Sequence, residues 1–308
     1  MAKAASIPIR LVAIAVAVAL VAAMPFVRAA SVQQDQTVDL ELVLAVDVSG
    51  SVDEFEARLQ RDGYVTAFVD PVVVNAVRSG PLGRIAVAYF EWAGFGHAIK
   101  TVDWVILSSA EDAQAFAARL DAAPLARGRF TSISGAIGYA LTLFPNNGFE
   151  GSRRVIDISG DGPNNSGPVV NFVRDEALAN DITINGLPII NQRPQPFGLP
   201  QMPDLDLYFE NCVIGGPGAF IVVADTFQDF GSAIRRKLIL EIAGLAAPPR
   251  LEPQRPNRVM AGPRGPVPRA VFGTRPDRVR PVADLLPPDC LIGERMLQQF
   301  RFDRFEFP

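Results

Sequence analysis

Between residues 40 and 243, short apolar runs alternate with segments of helical periodicity, and this alternation restricts the fold more than any other property of the chain. A run that stays apolar at every position, rather than at every second one, predicts a strand covered on both faces. Residues 40–46, interrupted only by Glu41, form such a run, and 84–92, 97–107, 153–159, 182–190 and 220–224 read as further strands. Helical spacing predicts helices over 52–69 (Phe55, Leu59, Val65, Phe68, Val69), 109–121 (Ala113, Phe116, Ala117, Leu120) and 132–144 (Ile133, Ala136, Ile137, Ala140, Leu141, Phe144). Two more are predicted over 167–180 and from about 226 to 243. Gly94 and Gly96 leave only a short link between the second and third strands, which makes that pair an antiparallel hairpin. Elsewhere, except across residues 191–217, helices separate successive strands, and such connections carry the chain across a parallel sheet. The expected fold class is α/β, a doubly wound, mostly parallel sheet with helices on both faces, formed by residues 38–245.

The flanks differ. Lys3 and Arg10 precede an apolar stretch from Leu11 to Met24, and Val27-Arg28-Ala29 offers a small-residue cleavage site, the layout of a secretory signal peptide over 1–29. That apolar stretch is shorter than the ~20 residues a spanning helix needs. No stable membrane span is expected after cleavage, an uncleaved N-terminal anchor being the alternative. Export to the periplasm or the cell exterior means an oxidising setting, in which the two cysteines, Cys212 and Cys290, are expected to pair; two buried thiols are the alternative. Residues 191–217, with four prolines before Tyr208, read as a long ordered surface loop. Residues 246–308 hold 12 of the chain's 26 prolines and eleven arginines but no lysine, and are expected to be largely irregular, with 296–307 able to dock. The formal net charge is −4 with no dominant basic patch on the folded part, which excludes a nucleic-acid partner.

The chemistry gathers where the first strand ends. Asp47-Val48-Ser49-Gly50-Ser51 follows the 40–46 run directly. In open α/β sheets ligands bind beyond the carboxyl ends of strands. Alternate residues of an extended stretch face one way, so the oxygens of Asp47, Ser49 and Ser51 can converge, with Gly50 expected to let the backbone turn between them. Thr131 precedes the helix that begins near Ile133, and Asp161 follows the 153–159 strand inside Gly160-Asp161-Gly162. Five hard oxygens, three of them neutral hydroxyls, suit a divalent ion, Mg²⁺ first and Mn²⁺ or Ca²⁺ as alternatives, with a position left for water or an incoming carboxylate.

At these residues the chain resembles the von Willebrand factor A (vWA) domains, whose metal-ion-dependent adhesion site has an Asp-x-Ser-x-Ser turn, a threonine at a later helix start and an aspartate–glycine turn. The resemblance implies a six-stranded sheet with the short hairpin strand antiparallel. It also implies that Ser49, Ser51 and Thr131 hold metal directly while Asp47 and Asp161 act mainly through water. Within that class, Val46–Ser51, Ile158–Asn165 and Val213–Phe220 resemble a bacterial exported family of unknown function.

Each residue also has a plainer role. Ser51 and Glu54 spell a helix capping box, Thr131 or Ser132 can be an N-cap, and Asp161 can be a turn residue. His97 reads as a strand-end surface residue rather than a base, Glu91 and Asp103 as solvent-facing, Trp92 and Trp104 as packing the hairpin, and Asn164-Asn165-Ser166 as a polar loop that happens to match a glycosylation sequon. The expected function is that of a binding module, not an enzyme, whose metal takes an Asp or Glu of a protein or peptide partner. A metal-dependent hydrolase with Asp47 as nucleophile, and a scaffold with a vestigial site, are the alternatives; Asp53 and Arg129 are the nearest further polar candidates for the hydrolase.

Overall fold

The computed structural model describes residues 35–190, 202, 204–244 and 289–305. The chain runs β1 (Gln36–Val38), β2 (Glu41–Asp47), α1 (Glu54–Phe68), α2 (Pro71–Arg78), β3 (Ile85–Trp92), β4 (Ala98–Leu107), α3 (Ala110–Ala122), α4 (Ile133–Leu141), β5 (Phe149–Gly151), β6 (Arg154–Gly160), α5 (Val170–Ala179) and β7 (Ile182–Pro188). Then come a short helix α6 (Leu205–Tyr208) that continues as a π-turn (Phe209–Val213), α7 (Phe230–Ala243) and α8 (Ile292–Phe305). The signal-peptide assignment, most of the 191–203 loop and most of the 246–308 tail lie outside the described residues.

The central sheet has the order β4-β3-β2-β6-β7, parallel throughout except for the β3–β4 hairpin. Strand β2 is central and buried at every position, as its apolar run predicts. Its alternation divides the core: Leu42, Leu44 and Val46 face α1, α3 and α7, while Val43 and Ala45 face α4, α5 and the π-turn. Glu41, the one charge in the run, is buried because Asn147 Nδ2 and the Gly151 N–H donate to its carboxylate, each at 2.6 Å. β5 supplies that partner and also pairs with β1 in a small parallel sheet that the sequence reading missed.

The expected sixth strand is only half formed. Residues 220–224 lie beside β7 in parallel register, with Gly186 opposite Ile221 and Ile189 opposite Ala224, but the pairing is two isolated bridges. The main-chain bonds flank Pro188: Gly186 N–H to Phe220 O, Val222 N–H to Gly186 O, Ala224 N–H to Pro188 O and Ile190 N–H to Ala224 O. Pro188 has no N–H to close the ladder between them. The central sheet therefore has five strands, with a sixth segment in register beside it.

Two buried ion pairs correct the helix pattern. The inward face of α1 carries Glu56, Ala57, Gln60, Arg61, Tyr64 and Phe68, and Phe55 and Val69, placed inward by spacing alone, are exposed. The buried Arg61 guanidinium meets Glu91 of β3, so Glu91 does not face solvent. Because β3 is covered on both sides, even its last residues point into protein. Beneath α7, the buried Lys237 ammonium lies 2.6 Å from Asp157 of β6 and also pairs with Glu241.

The region read as a surface loop and the irregular tail are joined. Tyr208, Phe209, Cys212 and Val213 are buried in α6 and the π-turn, and Cys212 is disulfide-bonded to Cys290, 78 residues on. This ties down α8, so residues 292–305 of the tail are helical rather than irregular. Among the described residues no helix is long and apolar enough to cross a membrane.

Candidate metal centre

Three loops at the carboxyl edge of the sheet converge. The first leaves β2, whose end is pinned by Gln60 Nε2 donating to Asp47 O at 3.1 Å and by Val48 N–H donating to Trp92 O at 2.9 Å. The Asp47 carboxylate accepts the Ser49 N–H at 2.7 Å, an Asx-type turn that aims the following hydroxyls inward. A Cβ on Gly160 would lie 3.0 Å from Asp47 Oδ2, so the glycine at the end of β6 leaves room for this carboxylate. Gly50, expected to be needed for the turn, has space for a side chain, its virtual Cβ coming no nearer than 3.7 Å to Gly128 O.

The five predicted residues come together. Ser49 Oγ lies 3.1 Å from Ser51 Oγ, Thr131 Oγ1 donates to Ser49 Oγ at 3.3 Å, and Ser51 Oγ donates to Asp161 Oδ1 at 2.6 Å. The plainer roles fall to neighbours. Asp53 caps α1 in a reciprocal box with Glu56, which frees Ser51, and Ser132 caps α4 by accepting the Gly135 N–H at 3.0 Å, which frees Thr131. Phe130, just before Thr131, has φ 62°, a backbone region costly for a bulky residue and commonest where a site over-determines the conformation.

The electrostatics favour a cation. Asp47 Oδ2 and Asp161 Oδ2 are buried without a hydrogen-bond partner. Burial raises the Asp47 pKa well above its ordinary value, the Asp161 charge raises it further, and hydrogen bonds from Ser49 only partly oppose this. Burial likewise pushes Asp161 up to about 6, with the Ser51 hydroxyl pulling the other way. Two desolvated carboxyls facing three hydroxyl oxygens would be relieved by a shared divalent ion, whose preference for oxygen donors they fit. Among the described residues no group of three or more His, Cys, Asp or Glu gathers, so a cation here would depend on the hydroxyls.

Sequence reasoning missed the support of this site. Asn164 is fully buried and links three helices to its own loop. Its N–H donates to Tyr208 Oη at 3.2 Å, its Oδ1 accepts from Ser134 N–H and Oγ at 3.0 and 3.1 Å, and its Nδ2 donates to Pro168 O at 3.2 Å and Glu294 Oε1 at 2.7 Å. The sequon asparagine is therefore interior. Asn165 Oδ1 accepts the Thr131 N–H at 2.8 Å, holding the second loop to the third. Gly293 of α8 lies against the Pro163-Asn164 backbone so closely that a Cβ would collide with Asn164 O. His97 is half-buried with Nε2 lacking a partner, near Gly128 rather than at the surface. Trp92 is buried, and Trp104 donates to Leu143 O at 2.9 Å, so both tryptophans pack the hairpin as expected.

A doubly wound α/β sheet with this oxygen cluster at its carboxyl edge is a vWA-like domain. The chain belongs to the family described as Protein of unknown function (DUF1194), whose profile matches residues 37–246. No curated protein matches it in sequence. Among solved structures it is similar to proximal thread matrix protein 1 of the mussel byssus, at 13% identity and TM-score 0.48, covering 68% of this chain and 48% of that one. A further structure of that mussel protein has a zinc-occupied MIDAS motif (14% identity, TM-score 0.47, 67% and 46% covered). It is also similar to the pilus adhesin SpaC of Lactobacillus rhamnosus GG, at 15% identity and TM-score 0.49, covering 68% and 31%. BatB of Bacteroides thetaiotaomicron is similar at 20% identity and TM-score 0.43, covering 67% and 99%. The chain thus spans about half or less of the first two proteins, and likenesses at these TM-scores carry no argument about what it binds.

Proposed function

We propose that this protein is an exported binding module that holds a divalent ion, Mg²⁺ in the first instance, at Asp47, Ser49, Ser51, Thr131 and Asp161. A carboxylate of a protein or peptide partner completes the ion's shell, and the protein binds rather than turns over its ligand. The observation that carries this reading is the convergence of three hydroxyls on two buried carboxyls, each with an unpartnered oxygen. Neutral hydroxyl ligands leave the ion's charge only just balanced by the two carboxylates, so it stays attractive to an incoming acid. Export is supported by the Cys212–Cys290 bridge, since disulfides persist in oxidising compartments.

Thermal melts in EDTA and in Mg²⁺, Mn²⁺ or Ca²⁺ test the reading. An ion that binds only the folded chain stabilises it by about 2.7 kcal/mol at a hundredfold excess over its Kd. The melting temperature should rise with at least one ion in the wild type and much less in Ser49→Ala. No rise with any of the three ions would overturn the assignment.

A further inference from the structure

Beside the proposed metal position lies a cleft of about 510 Å³. It is lined by Val48, Ser49, Gly50 and Val52 of the first loop and by Arg127, Gly128 and Arg129 of the second, with Gly50 packed against Gly128. The arginine segment is fixed in place. Gly128 N–H donates to Val48 O at 3.0 Å, Ala126 N–H donates to the buried Glu91 carboxylate at 2.9 Å, and Ser132 N–H donates to Ala93 O at 2.8 Å. A Cβ on Gly128 would collide with Ala93, and one on Gly94 would lie 2.6 Å from Arg129 O, so glycine at both positions lets the segment press against the β3–β4 turn.

Both guanidinium groups are available. Arg127 makes only a 3.6 Å contact with Glu54, both side chains being more than half exposed, and Arg129 makes no ion pair among the described residues. Two carboxylates would neutralise a divalent ion at the neighbouring site, so Arg129, together with Arg127 beyond its exposed contact with Glu54, adds positive charge beside it. Arginine pairs with carboxylates through two parallel N–H donors, which gives direction as well as attraction. Exposed aromatic rings lie close to the lining residues in the chain: Phe130 between Arg129 and Thr131 is 43% exposed and Phe55, next to Glu54, is 58% exposed. Exposed rings of this kind give contact area to a polypeptide that a bare inorganic anion cannot use.

We propose that this cleft is a second anion subsite, and that the ligand is a peptide segment carrying two acidic residues close together. One carboxylate completes the metal's shell and the other is held by Arg127 and Arg129. The inference rests on the metal-binding reading above and goes beyond it by fixing the charge pattern of the partner.

The test is selection of a random peptide display library on the immobilised full-length chain in Mg²⁺, with bound peptides released by EDTA. The wild type should enrich peptides with two acidic residues within a few positions of each other. The double variant Arg127→Ala/Arg129→Ala, at exposed positions and checked by its melt, should enrich peptides with a single acid. A synthetic peptide of the wild-type consensus should bind that variant at least tenfold more weakly. A single-acid consensus from the wild type, or an unchanged two-acid consensus from the variant, would overturn the subsite and leave the metal reading standing. Failure to recover any peptide that EDTA releases would overturn both.

Discussion

Asn164 Nδ2 donates to Glu294 Oε1 at 2.7 Å, so the loop that carries Asp161 is bonded to a helix that begins just beyond the disulfide. Asn164→Asp keeps the shape and the acceptor but sets a second carboxylate against Glu294 inside the protein. Like charges at that distance are expected to cost on the order of 2–4 kcal/mol. Glu294→Gln in the same chain should recover much of the loss. Urea unfolding of the two single variants and the double variant gives the coupling, and purely additive effects would mean the contact is not made.

Ser51 and Asp53 sit two residues apart and have separable roles. Asp53→Ala removes the α1 cap and should lower stability by about 1 kcal/mol while leaving the Mg²⁺-induced rise in melting temperature intact. Ser51→Ala takes the hydroxyl from Asp161 and should diminish that rise. Paired melts with and without Mg²⁺ check this, and a lost metal response in Asp53→Ala alone would reverse the assignment.

Asp157 is pushed up to about 7, by burial first and by the Glu241 charge second, against the pull of Lys237. Folding therefore holds a proton that the unfolded chain releases near the ordinary carboxylate value of 3.8. The stabilising contribution of this group is complete below that value and is lost as pH rises to about 7. Asp47 and Asp161 shift in the same direction, so the informative quantity is a difference. In EDTA, Asp157→Asn should lose less stability than the wild type between pH 4 and 8, by about 1–3 kcal/mol. Parallel pH profiles would remove Asp157 as the source.

The Cys212–Cys290 bridge closes a loop of 78 residues, for which the chain-entropy model gives a stabilisation of about 4.5 kcal/mol. Adding a reductant should lower the melting temperature of the wild type and leave Cys290→Ser unchanged. Equal responses in the two proteins would show that the bridge does not contribute.

The parts of the fold that the sequence made legible are those in which one local rule acts alone. The β2 run, the β3–β4 hairpin and the helices α3 to α5 follow from apolar spacing and glycine placement. That Asp47, Ser49, Ser51, Thr131 and Asp161 come together was legible because Asp47-x-Ser49-x-Ser51 follows a buried strand and because Thr131 and Asp161 each adjoin their expected element. Where two rules competed, spacing alone misled. Ser51 fits a capping box on paper, but Asp53 and Glu56 form the real one. Phe55 has the period of a core residue, yet α1 turns Arg61 and Gln60 inward because Glu91 and Asp47 O await them. The expected sixth strand is not formed: residues 220–224 lie beside β7 as isolated bridges, and the broken ladder traces to the missing N–H of Pro188, which apolar patterning does not register. The contact between Asn164 and Glu294 carried no signal, since nothing local ties residues so far apart.

The bridge that holds α8 also has a topological meaning. The Cys212–Cys290 bond joins the chain before residue 245 to the chain after residue 288, so a single cut by a protease anywhere in residues 245–288 would nick the molecule without releasing a fragment. The helix beside the Asp161 loop would stay attached through sulfur rather than through main chain, and its separation would require reduction as well as cleavage.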